Sequence, residues 1–371
     1  MKTDEEKIVL FHPHVPESAI HAVERTLRTR WVGQGPRVEE FEHRFSDRFG
    51  SGRPSVAVGA GTDALHLAYI LAEIKEGKEV ITPVMTCAAT NIPLLYTGAK
   101  VNFADIHPHS LNIDPSHVGE LVNERTAAIV CVHYGGLPCD MEELGSIAST
   151  WGIPVIEDAA HALGATYHGE PIGSLSDFTA FSFQAVKHIT TGDGGMLTIK
   201  QSSLAEKARR MRWFGIDRTS EHGGVGDNDI KEIGYKYQMN DIAASMGLAG
   251  LDELDQVLAV RRKLFEKYKE ELQGIPGIEL IGGNYTNREH AAWLCTIVAE
   301  NRSDLQRKLS ENMIESGQVH YRNDRYSIFS GFRKELPTMN ALEDRYLSLP
   351  LHTKMTIGDV ERICSVIHSG W

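Results

Sequence analysis

FTAFSFQAVKHITTGDGG, residues 178–195, is the stretch whose reading decides the fold. A β-rich run delivers Ser182, the chain enters a turn of polar and small residues that carries Lys187, and Gly192, Gly194 and Gly195 follow before a new strand resumes at 196–199. A lysine at a strand end beside Phe181 and Phe183 can be desolvated, which lowers its pKa and leaves a neutral amine able to attack an aldehyde. A solvated surface lysine is the commoner fate; the glycine density after Lys187 argues against it.

Working outward, further candidate strands lie at 55–59, 79–83, 100–106, 127–133 and 154–158. Stretches long enough for crossover helices separate most of them, as at 62–74, 86–96 and 141–151. That alternation predicts an α/β domain on a largely parallel sheet. Upstream, 16–29 and 37–49 carry apolar residues at helical spacing. Near Gly250 the pattern changes to a charged helical stretch over about 251–272, Gly- and Pro-containing turns at 274–283, a strand at 292–299 and a helix at 303–315. We therefore expect a large domain over 1–250 and a smaller C-terminal α/β domain over 251–371.

The 371 residues are 42% hydrophobic and 24% charged, ordinary for a globular enzyme, and the net charge of −12 argues against nucleic-acid or anionic-membrane partners. The opening MKTDEEKIVLFHP has no apolar segment of signal-peptide length, and no run approaches a membrane span. The five cysteines are scattered without metal-type spacing, so no metal site is expected and a reducing, cytoplasmic setting fits.

Ligands of a parallel α/β sheet collect at the carboxyl ends of its strands. In VAVGAGTDALHLAYIL, 56–71, a strand ends in Gly59-Ala60-Gly61 and a helix opens near Thr62 and Asp63, where free N–H groups suit a phosphate; taken alone, Thr62 as a simple helix cap reads better. In VIEDAAHALGA, 155–165, Glu157 and Asp158 end an apolar strand. A buried carboxylate calls for a cation such as a pyridinium nitrogen, with His161 against the ring; Asp158 reads equally well as a helix cap. In IGYKYQMNDIAASMGLAGL, 233–251, a polar and aromatic lead-in runs into a helix whose small residues allow close packing.

In order and spacing these segments resemble the sugar-nucleotide aminotransferases of the DegT/StrS group, fold-type I enzymes dependent on pyridoxal 5'-phosphate (PLP). The resemblance runs from RWVGQGPRVEEFE (30–42) through GTDAL (61–65), 79–106, VHYGGLPCDM (132–141), EDAAHALGA (157–165), FSFQAVKHITTGDGG (181–195) and GYKYQMNDIAA (234–244) to SLPLH (348–352). It implies a large, mostly parallel seven-stranded domain and a homodimer with shared active sites. It also implies that Lys187 binds the cofactor aldehyde and shuttles the proton, and that Asp158 pairs with the pyridinium nitrogen. His161 would contact the ring hydroxyl. Ser182 and the N–H groups of Thr62 and Asp63, beside Gly61, would hold the phosphate, with Lys236 reaching it across the interface. Three positions depart from the family pattern: Cys87 where an aromatic ring is common, Lys236 where Asn is common and Asp193 where Glu is usual.

The implied reaction moves an amino group from an amino acid, glutamate in most of the family, to a nucleotide-linked keto-sugar in amino-sugar and surface-polysaccharide biosynthesis. Relatives with histidine for the lysine are sugar 3-dehydratases; the register KHITTGDGG puts Lys187, not His188, in that position. A small phosphorylated ketone is an alternative acceptor, and the Lys187–Asp158 pair argues against a non-catalytic regulator. Trp31, His320, Tyr321, Arg322 and Arg325 are candidate substrate contacts, the arginines for a diphosphate; a solvated loop explains each of these singly at least as well.

Overall fold

The computed structural model describes residues 7–217 and 229–371. Helices α1 (Glu17–Leu27) and α2 (Pro36–Phe49) precede β1 (Ser55–Val58), α3 (Gly61–Leu71), β2 (Glu79–Pro83), α4 (Ala88–Tyr96), β3 (Lys100–Ala104), α5 (Pro115–Leu121), β4 (Thr126–Val132), α6 (Met141–Trp151) and β5 (Val155–Asp158). A hairpin of β6 (Thr166–Tyr167) and β7 (Glu170–Pro171) leads to β8 (Phe178–Ser182), β9 (Gly195–Ile199), α7 (Ser202–Met211) and α8 (Asp241–Leu272). The chain ends with β10 (Ile278–Leu280), β11 (Arg288–Glu289), β12 (Cys295–Ala299), α9 (Arg302–Glu311), α10 (Pro337–Leu342), β13 (Tyr346–Leu349) and α11 (Ile357–His368).

Seven strands form the main sheet in the order β1-β9-β8-β5-β4-β2-β3. Only β9 runs antiparallel to its neighbours. Helices cover both faces, so the strands are apolar on both sides: β1 is buried throughout, as are β5 and β9. Each of the seven strands expected from the sequence is present. Arg44 and Arg48 of α2 pair with Asp252 and Asp255 of α8, and Val38, Phe41, Phe45 and Phe49 turn the other face of α2 inward.

Helix α8 departs from expectation. It is one helix of 32 residues running unbroken through residue 250. The shift from small to charged residues there reflects a change of neighbours, not a break. In its first half a Cβ on Gly247 would lie 2.7 Å from the Phe41 ring, so α2 packs at backbone distance. In its second half Leu264, Phe265, Tyr268 and Leu272 join the core of a second sheet, β10-β12-β13, backed by α9 and α11. Strand β10 falls within the stretch read as turns: it is three residues long and partly exposed, too short for a periodic signal. The third sheet, β11-β6-β7, is built of two-residue strands and escaped the sequence reading for the same reason.

The seam between α2 and α8 is tied by one buried carboxylate. Asp241 accepts from the backbone N–H groups of Gly35 (2.8 Å), Arg37 (3.1 Å) and Val38 (3.2 Å), while its own N–H donates to Gly33 O at 2.8 Å. It therefore caps the start of α2 from the start of α8. Asp241→Ala leaves buried donors unmet and is expected to cost about 2–4 kcal/mol, read as a lower urea midpoint; a midpoint within error of wild type would contradict this role.

Candidate active site

The carboxyl ends of β1, β5 and β8 open into one cavity of about 320 Å³, lined among others by Gly61, Thr62, Cys87, Asp158, Ser182 and Lys187. Asp158 closes β5 and is 5% exposed. Its Oδ2 accepts from Thr90 Oγ1 at 2.7 Å and its Oδ1 from the Ala160 N–H at 3.1 Å. Thr90 is held in turn by Thr86 Oγ1 at 2.8 Å. Burial raises the Asp158 pKa, opposed by these hydrogen bonds and by Lys187. The carboxylate is thus aimed, solvated by the protein, and in need of a cationic partner.

Lys187 follows β8 on the loop that returns through Gly192 to β9. Its Nζ lies 3.5 Å from the centroid of the Trp293 ring. Burial lowers its pKa to about 7, against the opposing pull of Asp158 and Cys87 and with Arg261 adding to the fall. His188 points elsewhere: it is buried, and its Nε2 bonds Ala291 O at 2.8 Å. Of the two residues of the KH pair, Lys187 lines the cavity and His188 does not.

Helix α3 begins at the cavity with no side-chain cap; its N-cap is Ala60, not Thr62. A Cβ on Gly61 would lie 2.9 Å from Ser182 Cβ, so glycine lets the helix tip abut the end of β8. An uncapped helix N-terminus beside a serine hydroxyl is a cradle for an anion. Thr62 lines it, but Asp63 does not: its N–H is spent on Ala60 O at 3.1 Å, and burial lifts its carboxyl to about 6.

The smaller sheet's side contributes Trp293 and His320. Trp293 stacks on His161 with centroids 3.9 Å apart, and His161 Nε2 meets His320 Nε2 at 3.3 Å. The other His161 ring nitrogen, Nδ1, is buried without a partner. Trp293 is clamped on three sides. Its backbone N–H donates to Gly135 O at 2.9 Å, its Nε1 donates to Val186 O at 3.0 Å, and its carbonyl accepts from the buried Arg261 at 3.4 Å. Gly136 has φ +101, and a Cβ there would sit 2.8 Å from His161 O; the Gly-Gly turn after β4 is what admits this close approach.

Other candidates lie outside the cavity. Arg322 is turned inward: its Nε and Nη2 bond both Asp324 oxygens at 2.6 and 2.7 Å, and Nη1 bonds Asn340 and Glu343, so its donors hold the fold instead of awaiting a diphosphate. Arg325 sits over the Tyr321 ring, both exposed, and Trp31 is exposed beneath Arg30. Lys236 is exposed with its Nζ 3.9 Å from the Trp213 ring. A wider cleft of about 580 Å³ runs past Trp31, but its Glu42, Arg212, Arg209 and Glu206 are paired with one another. Sequence reasoning missed Trp293, Thr90 and Thr86; the TCAATN run held the only signal, hydroxyls one turn apart entering a helix.

The titration of Lys187 is directly testable. Modification of Lys187 by trinitrobenzenesulfonate, followed by peptide mass, should be half-maximal near pH 7. Because the Asp158 carboxylate raises the lysine pKa, Asp158→Asn should move that midpoint lower still. A midpoint in the ordinary lysine range would show that the amine is solvated.

The profile of the DegT/DnrJ/EryC1/StrS aminotransferase family matches residues 13–368. Spore coat polysaccharide biosynthesis protein SpsC of Bacillus subtilis is 34% identical over 96% of this chain and 95% of its own. UDP-4-amino-4-deoxy-L-arabinose–oxoglutarate aminotransferase of Shewanella sediminis is 32% identical over 98% and 97%. The solved structure of the sugar aminotransferase CalS13 from Micromonospora echinospora superposes with a TM-score of 0.92 at 32% identity, covering 98% of this chain and 99% of that one.

Proposed function

The chain belongs to the DegT/DnrJ/EryC1/StrS aminotransferase family, and from that premise we propose that it transfers an amino group, with PLP as cofactor, from glutamate to the keto carbon of a nucleotide-linked sugar in amino-sugar biosynthesis. One observation carries the reading: a lysine whose pKa burial brings to about 7 shares a cavity with a buried carboxylate and an uncapped helix N-terminus.

The residues present fit the cofactor. His161 lines the same cavity as Asp158 and Lys187, and Gly61 with Ser182 and the α3 N-terminus offers a phosphate cradle. PLP, when bound, supplies an electron sink that stabilises negative charge at the donor α-carbon. Asp158 would hold the cofactor's ring nitrogen in its protonated form, as its buried carboxylate is most stable beside a cation. Lys187 Nζ holds and moves the proton; with a pKa near 7 it is available in both protonation states at neutral pH. Trp293 and the carbonyl of Val186 keep the lysine loop against the cavity wall. The oxoglutarate aminotransferase and the sugar aminotransferase among the relatives support an amino-acid donor and a sugar acceptor.

We place the active sites in a homodimer. Tyr96, Phe214, Ile230 and Ile233 are exposed around the 234–240 segment, and a partner covering that face would bring Lys236 into a shared site. We keep two domains, 1–250 and 251–371, a reading supported by the separate seven-stranded and β10-β12-β13 sheets, with α8 and the small β11-β6-β7 sheet crossing between them.

The test is an absorbance spectrum of protein loaded with PLP, before and after glutamate, followed by a nucleotide-linked 4-keto-sugar. The expected result is a visible-edge band that shifts to shorter wavelength with glutamate, then returns as an amino-sugar product of matching mass appears. A band indifferent to amino donors would overturn the proposal. Lys187→Ala is expected to lower turnover by at least about 10³-fold, within the range for loss of a positioned acid–base group.

A further inference from the structure

We propose that His188 is a positioning residue for Lys187: its imidazole ties the lysine loop to the segment that carries Trp293. Three consecutive residues meet that segment. The Val186 carbonyl accepts from Trp293 Nε1 at 3.0 Å, Lys187 Nζ lies 3.5 Å from the Trp293 ring centroid, and His188 Nε2 bonds Ala291 O at 2.8 Å. Lys187 is thus bracketed, one residue to either side, by hydrogen bonds to positions 291 and 293. In taking Lys187 as the reactive amine this rests on the proposed function; the contacts themselves involve only this chain.

The direction of the His188 bond follows from its partner. A carbonyl only accepts, so Nε2 carries the proton. The other ring nitrogen, Nδ1, is buried without a partner, and a second proton there would be an unmet donor. Burial, with Arg261 adding, also holds His188 well below the usual imidazole range. His188 is therefore a neutral donor throughout the range in which Lys187 titrates. The receiving segment is held from its other side. Ala292 has φ +52, in the left-handed region that alanine seldom takes. That rotation turns the peptide carrying Ala291 O relative to Trp293, so that carbonyl and indole reach the same loop. Arg262 Nε bonds His290 O at 2.9 Å, Arg261 Nη1 bonds Ala292 O at 3.4 Å, and the Ala291 N–H donates to Gly136 O at 2.9 Å, which keeps the turn in place. With the segment fixed to α8 and to the turn after β4, the His188 bond sets where the lysine loop lies against it. Without that bond, Val186 is the loop's remaining hydrogen bond to the segment.

The experiment uses the full chain without cofactor, labelled with ¹⁵N-tryptophan and ¹⁵N-histidine. It reads hydrogen exchange of the Trp293 indole proton, identified by its loss in Trp293→Phe, and the pH midpoint of Lys187 modification by trinitrobenzenesulfonate. His188→Phe and His188→Leu fill the space but cannot donate. In both, the indole proton should exchange about fivefold faster or more, the factor that the net worth of one hydrogen bond gives. The Lys187 midpoint should rise from about 7 toward the ordinary lysine range. His188→Gln, whose amide can donate, should return both readings toward wild type. A packing role predicts the reverse, with the apolar variants tolerated and His188→Gln not. Wild-type exchange and midpoint in folded His188→Phe or His188→Leu, or a His188→Gln protein that behaves like His188→Leu, would overturn the assignment. So would an Nδ1–H tautomer of His188 in the unaltered chain, read by long-range ¹H–¹⁵N NMR. Failure of wild type to take up PLP would instead contradict the proposed function, and absorbance reads that separately.

Discussion

A half-buried lysine and a buried carboxylate, at the carboxyl edge of one sheet, set the terms for the rest of this structure. Burial drives each toward its neutral form: the Asp158 pKa rises and the Lys187 pKa falls to about 7. Their mutual attraction works in the opposite sense. The balance leaves an amine poised near neutrality and a carboxylate already anchored by Thr90 and Ala160. Lys187 is half-buried on the cavity wall, so the surrounding architecture sets how far that balance goes.

The roof comes from the other sheet. Trp293 reaches over Lys187 and is clamped by Gly135, Val186 and Arg261. Helix α8 supplies that arginine from its second half while its first half packs on α2, so one rigid element ties the roof to the floor. Asn323 extends the same connection: its Nδ2 donates to Thr86 O at 2.7 Å, and its Oδ1 accepts from Asn91 at 2.9 Å. The segment that offered candidate substrate arginines thus buttresses the end of β2, with Arg322 neutralised by Asp324.

Much of this was legible in the sequence. The seven strands were, because doubly covered strands are short, continuous apolar runs broken by turns. Asp158 and Lys187 were legible in part: Asp158 as a charge ending an apolar run, which read equally well as a helix cap, and Lys187 from the glycines that follow it. Trp293 was not: an aromatic residue entering a strand looks the same whether it fills a core or roofs a cavity, and its neighbours Lys187 and His161 are more than a hundred positions away. Thr90 was hidden because a hydroxyl in a helix ordinarily serves its own backbone. Arg322 misled because the local pair with Asp324 carries no periodic signature, and the continuity of α8 was masked by the change in its surroundings at residue 250.

The central claim is that Lys187 is the residue that bears the cofactor, and borohydride reduction of the PLP-loaded protein with peptide mapping tests it most directly. The account predicts one pyridoxyl adduct, on the peptide containing Lys187, and none in Lys187→Ala. An adduct on another lysine in the wild type, or a persistent adduct in Lys187→Ala, would contradict it.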